Sequence, residues 1–344
     1  MSDILLHVNR GSDKEVAENI IRGDIAVVDA EGQLLAYSGD PYKYTYMRSC
    51  AKPLQASVLL ECVEAERFTF SPEEIAVMCA SHNAEQFHQD AVFSILEKIG
   101  LNESSLMCGA AYSFGNPAVT EDFIRRGLPP RSVYNNCSGK HCAMLAACIA
   151  KGYDTAGYYL PAHPLQRDIL DTITDYTLMN KSDITVGVDG CGVPVFAMPV
   201  FNMALGYARL VGGVLDGARS RAASAIVSAM TRYPLYVSGT GTFSSELMTA
   251  YRGNLIAKLG ADGVYCIGVA DKNLGIALKI ESGGLEHVST VVMSVLEQLD
   301  LFDGEKVGLL SDYRCKSAHN CRGEAVGRVI PVFSLQKMQK VHKA

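Results

Sequence analysis

The segment RSCAKP (48–53) places a serine and a lysine where they can act together. A strong helical pattern follows Ser49, and residues three apart share one face of a helix, so Ser49 and Lys52 are predicted neighbours. A serine hydroxyl becomes a good nucleophile when a base removes its proton, and a neutral lysine amine can be that base. The N–H groups at a helix N-terminus can stabilise an oxyanion. The spacing therefore indicates acyl-transfer chemistry of the S-x-x-K type, although an N-cap serine followed by an exposed lysine has the same pattern.

Two later residues are of the kind that such a pair requires. Ser81 follows an apolar helical run, in the polar cluster CASHN (79–83), and is either a second hydroxyl that relays protons or an ordinary helix stop. Lys258 ends a predicted strand in a Lys-x-Gly context, which resembles the K-T-G element of β-lactamases and penicillin-binding proteins. Lys272 and Lys279 are the alternatives for this position, but they lack that context.

Cysteines in two further segments are candidate metal ligands. NNCSGKHC (135–142) contains Cys137, His141 and Cys142, and VDGCGVP (188–194) contains Cys191. Thiolates and imidazoles suit zinc and other borderline or soft metals. Neither segment has the C-x-x-C spacing of a zinc ribbon, so buried cysteines beside a Gly-Lys turn are the alternative interpretation. The G-x-x-x-x-G-K-[ST] spacing of a P-loop is absent.

Three other polar segments have weaker patterns. CKSAHNC (315–321) has two cysteines and a histidine but no complete tetrahedral set, and we expect a surface loop there. SGTGT (238–242) can line a polar pocket through its backbone N–H groups or form a turn. His163 is expected to begin a helix with the proline that follows it.

The elements that must position these residues follow from hydrophobic periodicity. Two short apolar runs at 24–40 predict a β-hairpin, and later apolar runs predict strands at 250–258, 263–270 and 274–280. The middle of the chain has a helical pattern, and Ser71-Pro72 with Glu74 forms a capping-box sequence. Helices are predicted over 51–67, 71–81, 85–99, 140–152, 163–177, 204–231 and 285–299.

This order of elements predicts an α/β (α+β) fold. An antiparallel sheet from both chain ends is flanked by helices and accompanied by a helical middle lobe. No linker rich in proline, serine or charge divides the 344 residues, so we expect a single catalytic unit over 1–344. Its sheet-containing lobe comprises 1–48 and 233–344, and its mainly helical lobe comprises 49–232.

The composition excludes several classes of protein. Hydrophobic residues make up 48% of the chain, too many for a disordered protein, and a net charge of −6 argues against a general nucleic-acid binder. No apolar stretch reaches the roughly 18 residues of a membrane span, and the N-terminus lacks a signal-peptide pattern. The eleven cysteines, an odd number, do not suggest a disulfide framework. We therefore expect a reduced, cytoplasmic location.

Taken together, the motifs resemble those of the L-asparaginase II family, the Rhizobium etli-type or class 3 asparaginases. The resemblance runs from about residue 8 to 333 and is most specific in NNCSGKH and DGCGVPVF. The T-G-G-T-I segment of threonine-based bacterial asparaginases is absent. The segments that carry the resemblance are MRSCAKPLQA (47–56), CASHNAEQFH (79–88), NNCSGKHCAMLA (135–146), HPLQ (163–166), VDGCGVPVFAMP (188–199), SGTGTFSSELM (238–248), AKLGADGVYC (257–266) and NLGIALKIESGG (273–284).

The resemblance implies a fold related to serine β-lactamases and glutaminases, and hydrolysis of L-asparagine to L-aspartate and ammonia. It also implies two catalytic serine–lysine pairs, Ser49 with Lys52 and Ser81 with Lys258. In the implied mechanism Ser49 attacks the asparagine side chain and Lys52 takes its proton. Ser81 and Lys258 then pass a proton to the departing ammonia.

The resemblance further implies a metal site, commonly zinc, with Cys137, Lys140 and Cys191 as ligands and water as the fourth. A lysine ligand must be deprotonated, which a bound metal enforces. Asp189 then supports the site or binds substrate, and Lys140 also lies at the substrate. Arg48 is expected to pair with the α-carboxylate of the substrate or to form an outward ion pair.

Three positions depart from the family pattern. Ile21 stands where a histidine is expected, Thr242 stands where relatives often have arginine, and Glu281-Ser282 replaces an acidic pair. The first two can affect substrate affinity or the outer wall of the pocket. None of the three is a predicted catalytic residue or metal ligand.

Alternative functions use the same residues. Glutamine or a β-lactam is an alternative substrate, because one methylene changes binding by only about 1–3 kcal/mol. A non-catalytic amide sensor stabilised by zinc is an alternative of another class. The expected partners are a small-molecule substrate and a second copy of the chain in a homodimer, with no nucleic acid and no membrane.

Overall fold

A computed structural model of the chain describes residues 2–9, 16–112, 115–302 and 304–338. The other positions, which include part of the N-terminal segment inspected for a signal peptide, lie outside the described residues. The strands are β1 (Ser2–Asn9), β2 (Val16–Asp29), β3 (Leu34–Ser38), β4 (Tyr44–Tyr46), β5 (Thr185–Val188), β6 (Pro194–Pro199), β7 (Leu255–Gly260), β8 (Val264–Val269), β9 (Leu274–Ile280), β10 (Lys316–His319), β11 (Ala325–Pro331) and β12 (Gln336–Lys337).

Helices occupy most of the chain between β4 and β7. A 3-10 turn, Arg48–Ala51, leads directly into the first of them. The α-helices are α1 (Lys52–Leu60), α2 (Pro72–Met78), α3 (Gln86–Lys98), α4 (Pro117–Arg125), α5 (Ser138–Lys151), α6 (Pro164–Thr177), α7 (Val200–Val211), α8 (Gly217–Arg232), α9 (Pro234–Ser238), α10 (Phe243–Ala250), α11 (Val288–Gln298) and α12 (Gly304–Arg314).

The main sheet is antiparallel and joins the two ends of the chain. Its strand order is β10-β11-β1-β2-β9-β8-β7, with β3 paired to β2 and β12 paired to β3. The N-terminal strand β2 lies beside the C-terminal strand β9, in register from Gly23↔Ile280 to Asp29↔Leu274. The predicted fold class is therefore confirmed: an antiparallel sheet from both chain ends, flanked by helices, with a helical middle. A smaller sheet has the order β4-β6-β5.

Some predicted elements differ from the observed ones. The single helix predicted over 204–231 is wrong, because Gly212 and Gly213 end α7 and Gly213 adopts a φ of +65° that other residues seldom adopt. The segment CKSAHNC, expected to be a surface loop, contains β10, which pairs with β11. The capping box is confirmed: the Ser71 hydroxyl accepts from the Glu74 N–H, and the Glu74 carboxylate accepts from the Ser71 N–H.

Helix α7 connects the sheet to the segment that carries Ser49. Its inward face is buried against β2, β8 and β9. Tyr207 on this helix donates a hydrogen bond from its hydroxyl to the Cys50 carbonyl, 2.8 Å away. The Cys50 thiol in turn donates to the Lys258 carbonyl on β7, at 3.1 Å. The cysteine thus has a structural role that fixes the Ser49 turn against the sheet.

The state of the cysteines and the length of the helices bear on the predicted location of the chain. All eleven cysteines are free, and nine of them are at least partly buried. In residues 2–9, 16–112, 115–302 and 304–338, no helix is long and apolar enough to cross a membrane. The cytoplasmic location, the homodimer and the division into two lobes stay predictions.

Helices α2 and α5 approach closely at Gly139, near the N-terminus of α5. A Cβ atom at this position would lie 2.0 Å from the carbonyl oxygen of Val77 on α2. Because α2 leads into Ser81 and α5 follows directly on Cys137, this contact brings the two segments side by side. Only glycine permits the approach without a shift of backbone.

We expect Gly139→Ala to lower the free energy of unfolding by about 3 kcal/mol, since the added methyl group overpacks against backbone. Gly308→Ala is the matched control, because Gly308 lies in α12 with open space at its Cβ position. That variant should be neutral or stabilised by up to about 1 kcal/mol. Urea denaturation of both variants measures the effect, and equal unfolding free energies would contradict the account of α2–α5 packing.

Candidate active site

The hydroxyl of Ser81 lies between two lysine amines. Lys258 Nζ is 2.8 Å from Ser81 Oγ, and Lys52 Nζ is 3.0 Å from the same atom. Lys52 is the first residue of α1, Ser81 lies in the loop after α2, and Lys258 is on β7. Residues that are far apart in the sequence therefore meet at one oxygen atom.

Lys52 is completely buried, and oxygen atoms surround its amine. In addition to Ser81 Oγ, its Nζ donates to the carbonyl of Ala80 at 2.6 Å and to the carbonyl of Asn136 at 3.1 Å. A buried ammonium is tolerated when its hydrogens have acceptors, and these three oxygens provide them. The site therefore offers an acceptor for each of the three hydrogens that a lysine ammonium carries.

Lys258 is also buried, with an exposed fraction of 2%. Burial and, to a smaller extent, the charge of Lys52 lower the pKa of its amine to about 7, while Cys50, Cys137 and Cys79 act in the opposite direction. A neutral Lys258 amine can accept a proton from Ser81, while its other contact is the Leu259 carbonyl at 2.8 Å.

The two alternative lysines lie elsewhere. The amine of Lys279 donates to the carbonyls of Asp262 and Ile280, both at 2.6 Å, and Lys272 is exposed after β8. Neither contacts Ser81.

Ser49 lies in the 3-10 turn before α1 and lines a cavity. Within the described part of the chain, its hydroxyl has no hydrogen-bond partner, and the amine of Lys52 contacts Ser81 instead. Arg48, directly before it, has a φ of +50°, a left-handed conformation that non-glycine residues seldom adopt. The predicted catalytic roles of Ser49, Lys52 and the other pair stay predictions.

A cavity of about 530 Å³ opens beside both serines. This volume is typical of small-molecule sites. SGTGT contributes to its polar wall, as one interpretation of that segment predicts. The lining residues are Ser49, Ser81, His82, Asn83, Gly115, Asn136, Ser238, Gly241, Thr242, Phe243, Ser244, Leu259, Gly260, Ala261, Tyr265, Leu285, Val288, Ser289, Tyr313 and Lys316.

His82 fixes the Ser81 loop to α5. Its Nδ1 accepts the backbone N–H of Ala84 at 3.1 Å, so Nε2 carries the hydrogen and donates it to Ser138 Oγ, 2.8 Å away. Burial lowers the pKa of His82 well below its ordinary value, and the charges of His88 and Lys52 act in the same direction. The imidazole is therefore neutral and structural.

A cluster of possible metal ligands lies next to this loop. One ligand atom each from Cys137, Asp189 and Cys191 lies within 4.8 Å of the others. Lys140 Nζ is 3.0 Å from Cys191 Sγ and 3.3 Å from Asp189 Oδ2. Cys137 precedes α5, and the other two cluster residues lie in the loop between β5 and β6. The structure thus brings Cys137, Lys140 and Cys191 together, and it places Asp189, predicted to support the site or bind substrate, where it is itself a possible ligand.

The ionisable groups of this cluster shift one another's pKa values, and metal binding would have to deprotonate Cys137 and Lys140. A hydrogen bond from Cys137 lowers the pKa of Cys191 to about 5, and the same bond raises the pKa of Cys137 to about 12. Burial opposes ionisation of Lys140 and Asp189. The charges of neighbouring groups have the larger combined effect: Cys137 and Cys191 raise the pKa of Lys140, and Lys140 lowers the pKa of Asp189.

The other residues considered as ligands point elsewhere. His141 Nδ1 lies 2.6 Å from the hydroxyl of Tyr158, and the Cys142 thiol faces the Val92 carbonyl.

Arg48 Nε is 3.3 Å from Asp189 Oδ1, and Arg48 Nη1 also pairs with Asp262. The Arg48 guanidinium therefore already faces two carboxylates, and its contact with substrate stays a prediction.

Asn83 lines the cavity, although the sequence patterns predicted no role for it. Its side chain is 1% exposed, and its Nδ2 has no hydrogen-bond partner within residues 2–9, 16–112, 115–302 and 304–338. Cβ atoms at Gly115 and Gly239 would lie 1.9 and 2.3 Å from its side chain, so glycines give it room. The signal in the sequence was its position two residues after Ser81, which alone does not distinguish it from a turn residue.

Comparison with known proteins identifies the family of the chain. The model of the L-asparaginase II family matches residues 6–331. The chain belongs to the L-asparaginase II family. It is therefore an amidohydrolase of the asparaginase type, and the family resemblance seen in the motifs is confirmed.

Solved structures similar to this family member have low sequence identity to it. A putative β-lactamase from Bacteroides dorei is 14% identical, covering 80% of this chain and 93% of its own, with a TM-score of 0.44. A β-lactamase from Mycobacterium bovis is 15% identical, covering 85% and 95%, with a TM-score of 0.38. Mglu in its native form is 15% identical over 83% of this chain, which spans 66% of Mglu, with a TM-score of 0.36. No curated protein gave a significant match.

Proposed function

We propose that this chain is an L-asparaginase that hydrolyses L-asparagine to L-aspartate and ammonia through a serine acyl-enzyme. The observation that carries the proposal is the hydroxyl of Ser81 between the amines of Lys52 and Lys258, beside a cavity that also contains Ser49. Membership of the L-asparaginase II family supports an amide as the substrate.

The first step is a proton shift that prepares the base. Lys52 gives a proton to Ser81 Oγ while Ser81 gives its own proton to the neutral amine of Lys258. The pair of lysines keeps the same total charge, and Lys52 becomes neutral. The contacts of 3.0 and 2.8 Å at Ser81 Oγ are short enough for both transfers.

Neutral Lys52 then activates Ser49, which lies one helical turn before it. Ser49 Oγ attacks the side-chain amide carbon of asparagine and loses its proton to Lys52. The N–H of Ser49, at the start of the turn, is the proposed donor to the oxyanion. Collapse of the tetrahedral intermediate breaks the C–N bond, and the nitrogen takes from Lys52 the proton that came from Ser49 and leaves as ammonia, so that Lys52 is neutral again.

Hydrolysis of the β-aspartyl ester reverses these transfers. Lys52 takes a proton from water as the oxygen of that water attacks the ester carbon. The same proton returns to Ser49 Oγ when the acyl bond breaks and L-aspartate is released. The reverse proton shift through Ser81 then returns the proton from Lys258 to Lys52 and restores the starting state.

We further propose that the Cys137 cluster holds zinc. Two sulfur donors and a nitrogen donor, from Cys137, Cys191 and Lys140, are a ligand set that zinc accepts, and Cys191 already has a lowered pKa. Zinc bound there supplies positive charge that orients polar groups of the substrate. Asp189 holds Lys140 and Arg48 in place through its two oxygens.

The serine roles are tested by variants and by trapping. Ser49→Ala should lower kcat about 1000-fold, or about 4 kcal/mol in barrier, because the nucleophile is lost. Ammonia release from asparagine and glutamine measures this loss and the substrate preference. Acid-quenched wild-type enzyme should carry a β-aspartyl adduct on the Ser49 peptide in mass spectrometry.

The exposed Ser182→Ala variant is the control and should match wild type. An adduct on Ser81, or a Ser49→Ala variant with near-normal turnover, would contradict the role of Ser49. Absence of ammonia release in the wild type would favour a non-catalytic amide sensor.

The metal proposal is tested by elemental analysis. Purified wild-type protein should contain about one zinc ion per chain, and Cys191→Ser should contain far less, because a site that loses one of its few protein ligands binds metal weakly. Cys321→Ser is the matched control, since Cys321 is exposed and distant in sequence from the cluster. Equal zinc content in the two variants would exclude Cys191 as a ligand.

A further inference from the structure

The cavity beside the serines has an unbalanced charge. Lys316 is the one charged residue in its described lining, which contains no aspartate or glutamate. Lys316 is the first residue of β10. Lys316 and Tyr313 line the cavity from the C-terminal part of the chain. A partly buried cation in such a site is stabilised when an anion binds beside it.

The amine of Lys316 is not neutralised by the protein. Its Nζ donates one hydrogen bond, to the backbone carbonyl of Glu286 at 2.6 Å, and forms no ion pair within the described residues. The Glu286 carboxylate faces His287 instead, at 3.4 Å. Burial lowers the pKa of Lys316, with the Glu286 charge acting in the opposite direction, as expected for a cation without a close counter-charge.

The other cations near the site already have partners. Arg48 faces Asp189 and Asp262, and Lys140 faces Asp189. Lys52 lies behind the serines, where its amine is surrounded by oxygens. A carboxylate that enters the cavity therefore meets Lys316 as its available counter-charge.

Asn83 is an independent sign that the cavity binds an electron-rich ligand. Its buried Nδ2 is a donor without an acceptor in the described structure, and Asn83 lines the same cavity. Leaving such a donor unpaired costs about 1–3 kcal/mol, which a ligand oxygen would recover. The cavity thus offers an uncompensated cation and an uncompensated N–H donor.

We propose that Lys316 anchors the α-carboxylate of the amino-acid substrate, and that Asn83 Nδ2 donates to a second oxygen of the same molecule. This inference rests on the proposed asparaginase function and deepens it, because it moves carboxylate recognition from Arg48 to Lys316. Substrates are selected as small amides that carry a free α-carboxylate.

The test removes the charge of Lys316 and the charge of the ligand in turn. Lys316→Met and Lys316→Gln are compared with Lys316→Arg, which keeps the charge, and with Lys272→Met, an exposed control away from the cavity. The ligands are L-asparagine, its α-carboxamide, which lacks the carboxylate, and L-aspartate. Calorimetry gives Kd for L-aspartate, and ammonia release gives KM and kcat for the two amides.

We expect the neutral variants to raise Kd for L-aspartate and KM for asparagine by about tenfold or more, the equivalent of about 1.4 kcal/mol. KM for the α-carboxamide should change by less than about twofold. Lys316→Arg should keep Kd for L-aspartate and KM for asparagine much closer to the wild-type values than the neutral variants do. The Gln variant keeps a donor for the Glu286 carbonyl, so it decides the outcome if the Met variant does not fold.

An equal rise in KM for both amides, or an unchanged Kd for L-aspartate, would overturn the role of Lys316. If wild-type protein releases no ammonia from asparagine, the proposed function fails. The L-aspartate Kd still decides the anchor in that case, because equal or absent binding in wild type and Lys316→Gln overturns it.

Discussion

The site depends on one oxygen atom, the hydroxyl of Ser81, that two buried lysines share. Lys52 and Lys258 are both shielded from water, and two ammonium groups at one hydroxyl repel each other. Burial and the charge of Lys52 lower the pKa of Lys258 to about 7, so its amine can be neutral and the repulsion is relieved, while carbonyl oxygens surround Lys52. This geometry supports the proposed movement of one proton between the two amines through Ser81. Such an arrangement of two lysines around one hydroxyl is suited to a reaction in which protons are first removed and then returned.

The fold supplies the three parts of this site from distant places in the chain. β2 pairs with β9 in the main sheet, and β7, at one end of the same strand order, packs against the 3-10 turn that precedes α1. Cys50 hydrogen-bonds across that junction to the Lys258 carbonyl. The close α2–α5 contact at Gly139 sets the Ser81 loop against the segment that carries Cys137. The relay and the cysteine cluster are therefore positioned by one packing arrangement.

The sequence predicted the parts of the site that have a local signature. The S-x-x-K spacing, the Lys-x-Gly strand end and the two cysteine loops were recognisable because each has fixed neighbours in the chain. The sharing of Ser81 by both lysines was not predictable, since it depends on the packing of a loop, a helix and a strand. Asn83 and Lys316 were missed for a similar reason: an asparagine in a loop and a lysine in CKSAHNC become notable only when the cavity around them is known. The break between α7 and α8 could have been predicted from Gly212-Gly213. The apolar helical pattern over 204–231 favoured a single helix instead.

The account is tested most directly by an NMR titration of protein labelled with ¹³C at the lysine ε-carbon. One lysine resonance should titrate near pH 7 and vanish in Lys258→Met. In Lys52→Met the same resonance should titrate at higher pH, because the neighbouring positive charge that lowers the pKa of Lys258 is gone. If every lysine titrates above about pH 9, or if Lys52→Met leaves the pKa of Lys258 unchanged, the two amines do not share a proton and the central claim is wrong.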